Sequence, residues 1–223
     1  MRKKTRRRIE FVAGFAAYFA AIWLLWPTPL IYPLKLFVVL LHEIGHGLAA
    51  VGTGGSIDRI AITPDQGGVC YCMGGNALVT LSAGYLGSLA FGVGMIEATR
   101  RGPRFSAGAL WVLGGLVLAI AALYVRSAFS LVVAAAAGAA LLLGAARLGH
   151  GGRTLVLTFL GLTSALYALL DIRSDVLDRP HLDSDAAMLA DVTGVPTLAW
   201  GLLWIGIAGA ALYWTVRRGF PAK

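Results

Sequence analysis

Hydrophobic residues run along this chain in long blocks, separated by short polar or proline-rich connections. Seven apolar segments can be marked, at residues 11–32, 34–52, 77–96, 106–124, 128–146, 154–176 and 197–216. Crossing about 30 Å of hydrocarbon takes around 20 residues as α-helix, and each segment is close to that length. In lipid the backbone polar groups must bond within their own segment, so such runs fold as helices. Pro27, Pro29 and Pro33 separate the first two, while RRGPR (100–104), Arg126 and RLGHGGR (147–153) punctuate the later ones. The pattern predicts an all-α polytopic membrane protein with six or seven transmembrane helices, organised as one domain over residues 1–223.

One stretch follows a different period. Residues 53–76, TGGSIDRIAITPDQGGVCYCMGGN, alternate. Ile60 and Ile62 share one face of the first half, and Val69, Tyr71 and Met73 share one face of the second. PDQGG supplies turn chemistry between them, so this segment is expected to be a β-hairpin.

Composition agrees with the membrane reading. The 223 residues are 58% hydrophobic and 13% charged, against about 25% charged in soluble domains. Mean hydropathy is +0.76. The net charge of +8 lies at the chain ends and between apolar runs, as membrane flanks do, and so does not point to a nucleic-acid partner. The opening MRKKTRRR holds six Lys/Arg in eight residues and precedes FVAGFAAYFAAIWLL, an order shared with signal peptides. That run ends in bulky WPTPLIYP without a small-residue cleavage site, so it is expected to be retained as a first helix. Seven crossings with the N-terminus inside would place 10 Lys/Arg inside and 9 outside; without a crossing by the first segment the split is 15 to 4. Seven crossings is the expectation here, since 22 apolar residues can span with some tilt. Cys70 and Cys72 are the only cysteines and, one residue apart, are expected to be free thiols.

The second segment contains VVLLHEIGHGLAAVG, residues 38–52. His42 and His46 are four apart and share a helical face about one turn apart, so both imidazoles can reach one metal ion. Glu43 stands beside the first histidine, placed to act on a water at the metal. This is the HExxH arrangement of two ligands and a general base. Bound zinc lowers the pKa of its water to about 7, and Glu43 would take that proton and pass it to a leaving amine. Ionisable groups at bilayer depth cost on the order of 2.5–3.5 kcal/mol each on insertion scales and mark function. Gly45, Gly47, Ala49 and Ala50 are expected to leave room for water and an extended substrate.

A catalytic zinc takes three protein ligands and keeps one position open. His150 and His181 sit in polar connections. Six of the eleven acidic residues, Asp171, Asp175, Asp178, Asp183, Asp185 and Asp191, fall between 171 and 191. Four crossings separate the ends of the second and sixth helices, so these helices run in the same direction. His46 lies on the order of 9 Å from its helix end at 1.5 Å per residue, and Asp171 lies at a similar depth. Asp171 is the expected third ligand, with Asp175 and Asp185 as alternatives. Asp178, Asp183 and Asp191 read as solvated loop residues whose negative potential would draw cations. In the third segment, Gly84, Ser88 and Gly92 at four-residue steps are expected to pack against a neighbouring helix, that of the histidines.

HEIGH in an early hydrophobic helix, a glycine-rich hairpin and then SAGYLGS resemble the site-2 protease family of intramembrane zinc metalloproteases, in its B-like bacterial branch. YALLDIRSDV and SDAAMLADVTGVP extend the resemblance over roughly 35–215. It implies zinc held by His42 and His46, Glu43 as catalytic base, and an aspartate in a later helix, here Asp171 in LLDIR, where the family's LDG glycine is missing. It also implies a membrane protein or peptide as substrate, a multi-pass location in a bacterial inner membrane, and a hairpin that offers its edge to an extended substrate strand. The family's GPxxN-like element is GYLGS here, with Tyr85 for proline and Ser88 for the asparagine that helps hold substrate or oxyanion; Gly84 and Ser88 would border the substrate. No PDZ domain is inserted, so the bundle itself would select substrate. Two other readings use the same residues: a membrane metal-binding or transport protein, and an inactive protease-like scaffold.

Overall fold

The computed structural model describes residues 3–178 and 184–219. The elements in chain order are α1 (Lys3–Leu25), α2 (Tyr32–Gly52, entered through a 3-10 turn at Pro29–Ile31), β1 (Ser56–Ile62), β2 (Gly68–Met73), α3 (Ala77–Arg100), α4 (Pro103–Tyr124), α5 (Ala128–Arg147), α6 (His150–Arg173), α7 (Asp185–Thr193) and α8 (Thr197–Gly219). A π-helical turn, Ser174–Asp178, extends α6. Prolines stand at the starts of α2 and α4, where a missing N–H costs nothing. Asn76 and Ser127 cap α3 and α5 by accepting from the N–H groups of Val79 and Ser130.

Six helices are long and apolar enough to cross a membrane: Pro29–Gly52, Ala77–Arg100, Pro103–Tyr124, Ala128–Arg147, His150–Asp178 and Thr197–Arg218. The chain is an integral multi-pass membrane protein. The expected seventh crossing at 11–32 is not among these six. The first helix, α1, ends at Leu25, and the prolines that follow separate it from α2. The 15-to-4 division of Lys/Arg is the one that accompanies a non-crossing first segment.

The helix of the histidines lies at the centre. Val38, Leu40, Leu41 and Ile44 of α2 are at most 1% exposed, while most other spans keep a lipid-facing side. Lipid tails are as apolar as leucine, so close backbone approach rather than hydrophobic exclusion holds such helices together. At the α3–α6 crossing, a Cβ on Gly92 would lie 2.5 Å from the Gly161 carbonyl oxygen, and one on Gly161 would lie 2.7 Å from that of Gly92. The Ser164 hydroxyl donates to the Ser88 carbonyl across the same interface, at 2.7 Å. The small-residue stripe of α3 therefore serves two neighbours. Gly84 faces α2, whereas Ser88 and Gly92 face α6.

β1 and β2 form the expected antiparallel hairpin, paired from Ser56↔Met73 to Ile62↔Gly68 with a bulge between Ile57 and Arg59. The extra residue lets Ile57 join Ile60 and Ile62 on the buried face, where they meet Leu36, Val39 and Leu40 of α2 and Val117, Ile120 and Ala121 of α4. Ser130 on α5 accepts from the Ile62 N–H and donates to its carbonyl, at 2.8 and 2.9 Å. Tyr32 at the start of α2 donates to Pro64 in the turn, at 2.7 Å. The hairpin is thus fixed along α2 and is no loose connection. Val69, Tyr71 and Met73 do share a face of β2, and it is the exposed one. The expectation of free thiols is overturned: Cys70 and Cys72 are joined by a disulfide. Residues two apart in a strand point to the same side, and their Cα atoms are 5.7 Å apart, inside the usual disulfide range.

Gly92→Ala is expected to force α3 and α6 apart and to destabilise the bundle by about 1–3 kcal/mol, the usual cost of overpacking. Thermal unfolding in detergent checks this, with a lowered Tm as the expected result.

Candidate metal centre

Three elements meet at the histidine-bearing turn of α2. His42, Glu43 and His46 are 7%, 5% and 6% exposed, so all three are buried within a membrane span. The two imidazoles follow the helical spacing and stand edge to face, with centroids 4.7 Å apart. Their Nε2 atoms converge on one carboxylate oxygen, Asp185 Oδ2, at 3.0 Å from His42 and 3.1 Å from His46. Asp185 is the first residue of α7. Ser184 caps that helix by accepting from the Ala187 N–H, and a helix N-terminus favours a negative charge. Burial by itself would push the Asp185 carboxyl up, but the His46 and His42 imidazoles outweigh it and hold the group below the ordinary carboxylate range.

The outer ring nitrogens have their own neighbours. His46 Nδ1 lies 2.7 Å from the Thr80 carbonyl oxygen, which can only accept, so Nδ1 carries a proton and Nε2 is the atom turned toward Asp185. His42 Nδ1 is buried without an aligned hydrogen-bond partner among the described residues, and Asp171 Oδ2 is in ionic contact with it at 3.3 Å. Asp171 therefore faces the back of the His42 ring, and Asp185 faces the front. Glu43 lies against β2, where a Cβ on Gly68 would collide with its carboxylate.

His42, His46 and Asp185 each offer one ligand atom within 4.8 Å of the others, a group able to hold a metal ion. Two features of the site fit zinc. Two imidazole nitrogens and a carboxylate oxygen are the N/O donors zinc accepts at catalytic sites. Gly84 of α3 keeps the space beside both Nε2 atoms clear, since a Cβ there would fall on them. Charge points the same way. Glu43, Asp171 and Asp185 surround two imidazoles in a low-dielectric setting, and a divalent cation offsets that concentration of carboxylates.

The remaining sequence candidates are placed as follows. Asp175, in the π-helical turn, accepts from the Tyr85 hydroxyl at 2.7 Å. Asp178 pairs with Arg173 at an exposed position, at 3.3 Å. Asp191 is exposed on α7. His150, at the start of α6, lies 3.4 Å from Ser106 Oγ and not at the trio. His181 and Asp183 lie outside the described residues. Ser88 is fully buried against α6, its hydroxyl without a partner among the described residues. Gly45 borders an apolar cavity of about 440 Å³ between α2, α3 and α4, and both Gly45 and Gly47 are also close-packing positions. A Cβ on Gly45 would strike the Ala83 carbonyl of α3, and one on Gly47 would meet Ile57 of β1. Sequence reasoning noted Tyr85 only as a departure from the family's proline and did not single out Thr80, whose role is played by its backbone, or Tyr167; the rings of Tyr85 and Tyr167 flank His42 at 5.3 and 6.3 Å.

A protein-family model described as Peptidase M50B-like matches residues 15–215 of the chain. No curated protein and no solved structure matches it.

The two aspartates beside His42 have different expected outcomes. Asp185→Asn removes the carboxylate charge at the point shared by both Nε2 atoms and should abolish stoichiometric zinc binding. Asp171→Asn alters only the contact behind His42 and should weaken binding about 10–100-fold, the usual cost of losing an outer partner. Metal analysis and chelator competition on the purified variants distinguish these outcomes.

Proposed function

Because the chain belongs to the Peptidase M50B-like family, we propose that it is an intramembrane zinc endopeptidase that hydrolyses a peptide bond in or near a transmembrane segment. The observation that carries this reading is the convergence of His42, His46 and Asp185 beside Glu43 inside a bundle of six apolar helices. In it, His42, His46 and Asp185 are the ligands. Asp185 replaces Asp171 as the third, because it lies at the shared Nε2 face and Asp171 at the back of one ring. Asp171 and the Thr80 carbonyl orient the two imidazoles through their Nδ1 atoms, the outer contacts that fix ring tautomer and direction at metal sites.

Zinc held there supplies an electrophile for the scissile carbonyl and brings the pKa of water into the neutral range. Glu43 takes the proton from the attacking water and delivers it to the leaving amine nitrogen. Its position suits a base and not a ligand: it is held against Gly68 of β2 and stands outside the trio that converges on one point. A transmembrane substrate has its amides paired and shielded, so it must unwind locally before it can react. The hairpin fixed along α2 favours an extended substrate, since a strand edge can take over the amide bonds that the unwound helix loses. The partners under this reading are a membrane protein or peptide and the lipid bilayer, in a bacterial inner membrane.

Glu43→Gln is expected to retain zinc at the wild-type stoichiometry and to lose cleavage of a model transmembrane substrate by at least about 100-fold, as expected when a general base is removed. Full activity in that variant overturns the assignment of Glu43. Wild-type protein that takes up zinc without cleaving any transmembrane substrate favours a metal-binding or scaffold role.

A further inference from the structure

Tyr85 is fully buried, one residue after the glycine that borders both histidines. Its ring stands edge-on to the His42 imidazole, with centroids 5.3 Å apart and planes at 86°. The same ring packs on Trp204 of α8 at 4.7 Å. Its hydroxyl donates to Asp175 Oδ2 at 2.7 Å. Asp175 belongs to the π-helical turn that follows Asp171 and leads toward Asp185. One side chain of α3 thus touches a histidine of the trio with its ring, ties down with its hydroxyl the π-helical turn that follows Asp171, and shares a buried cluster with Ala186 and Leu189 of α7, the helix that Asp185 opens.

A buried phenol needs a partner, and a hydrogen bond to a carboxylate is stronger than one between neutral groups. A tyrosine conserving volume alone would be served by phenylalanine, which fills the same space and packs on Trp204 equally well. The hydroxyl earns its place only if the π-helical turn has to be held. Asp185 opens a nine-residue helix that lies outside the six spans, and Ala186 and Leu189 of that helix share a buried cluster with Tyr85 and Trp204.

We infer that Tyr85 is a positioning residue of the metal centre, setting the π-helical turn that follows Asp171 against His42 through its bond to Asp175. The inference rests on the reading of the trio as a zinc site and assigns that site a support from α3. It also gives Tyr85, which stands where the resembling family has proline, a role that proline could not fill.

The test is a double-mutant cycle on the full-length protein in detergent: wild type, Tyr85→Phe, Asp175→Ala and the double variant. Zinc affinity is read by chelator competition, and the d–d absorption of the cobalt(II)-substituted protein reports ligand geometry. Tyr85→Phe is expected to lower zinc affinity about 10–100-fold, the range for outer-shell contacts, and to change the cobalt spectrum. The double variant is expected to lose less than the product of the two single losses, as coupled groups do. Wild-type affinity and an unchanged cobalt spectrum in Tyr85→Phe overturn the inference. So do independent effects that multiply in the double variant. Should Tyr85→Phe fail to fold, Asp175→Ala with an unaltered affinity and cobalt spectrum overturns it equally. Failure of the wild type itself to bind zinc is a different result and counts against the metal-centre reading.

Discussion

A single carboxylate oxygen, Asp185 Oδ2, lies within 3.1 Å of two imidazole nitrogens inside a membrane bundle, and the surrounding structure serves that contact. Polar groups at this depth are costly unless each one finds a partner. The histidines meet the requirement on both sides: Thr80 and Asp171 stand at the Nδ1 atoms, and Asp185 stands at both Nε2 atoms. The glycines of α2 and α3 are the steric condition for this. Gly45 admits the α3 backbone, and Gly84 leaves the Nε2 atoms uncovered. A Cβ at either position would separate α3 from the histidine helix or fill the space where an ion would sit.

Hydropathy and spacing made much of this legible. The apolar blocks marked the six spans because a helix in lipid needs about 20 residues and nothing else satisfies its backbone. HEIGH identified the turn of His42 and His46, since four residues is the helical step that brings two imidazoles together. The alternation in 53–76 identified the hairpin. The third member of the trio was harder to read, because the depth argument counted residues along spans. It could weigh Asp171, which sits in a span, but not Asp185, which reaches the site from a short helix between the fifth and sixth spans. The local signal was present in SDAAMLADV: a serine cap followed by an aspartate in the first turn of an apolar-faced helix. Nothing in that signal says where the helix docks.

Two other misreadings have the same origin in local rules applied without tertiary context. The apolar residues at 11–32 do not form one helix: prolines divide them, α1 ends at Leu25 and α2 begins anew at Tyr32. Cys70 and Cys72 were set aside on separation alone. On a strand their separation places both side chains on one face, where the structure pairs them. GYLGS shows the opposite relation between pattern and role. Read against the family pattern it looks like a loss, because Ser88 replaces an asparagine and Tyr85 a proline. In the structure Ser88 packs against α6, and Tyr85 brings a buried hydroxyl to the turn after Asp171.

The central claim is that a divalent cation is held in the bundle by two imidazoles and one carboxylate. Zinc K-edge X-ray absorption on the zinc-loaded wild-type protein tests it most directly. The account predicts a first shell of nitrogen and oxygen with the multiple scattering of two imidazoles. A shell containing sulfur from Cys70 or Cys72, a shell without imidazole, or no zinc retained after loading would contradict it.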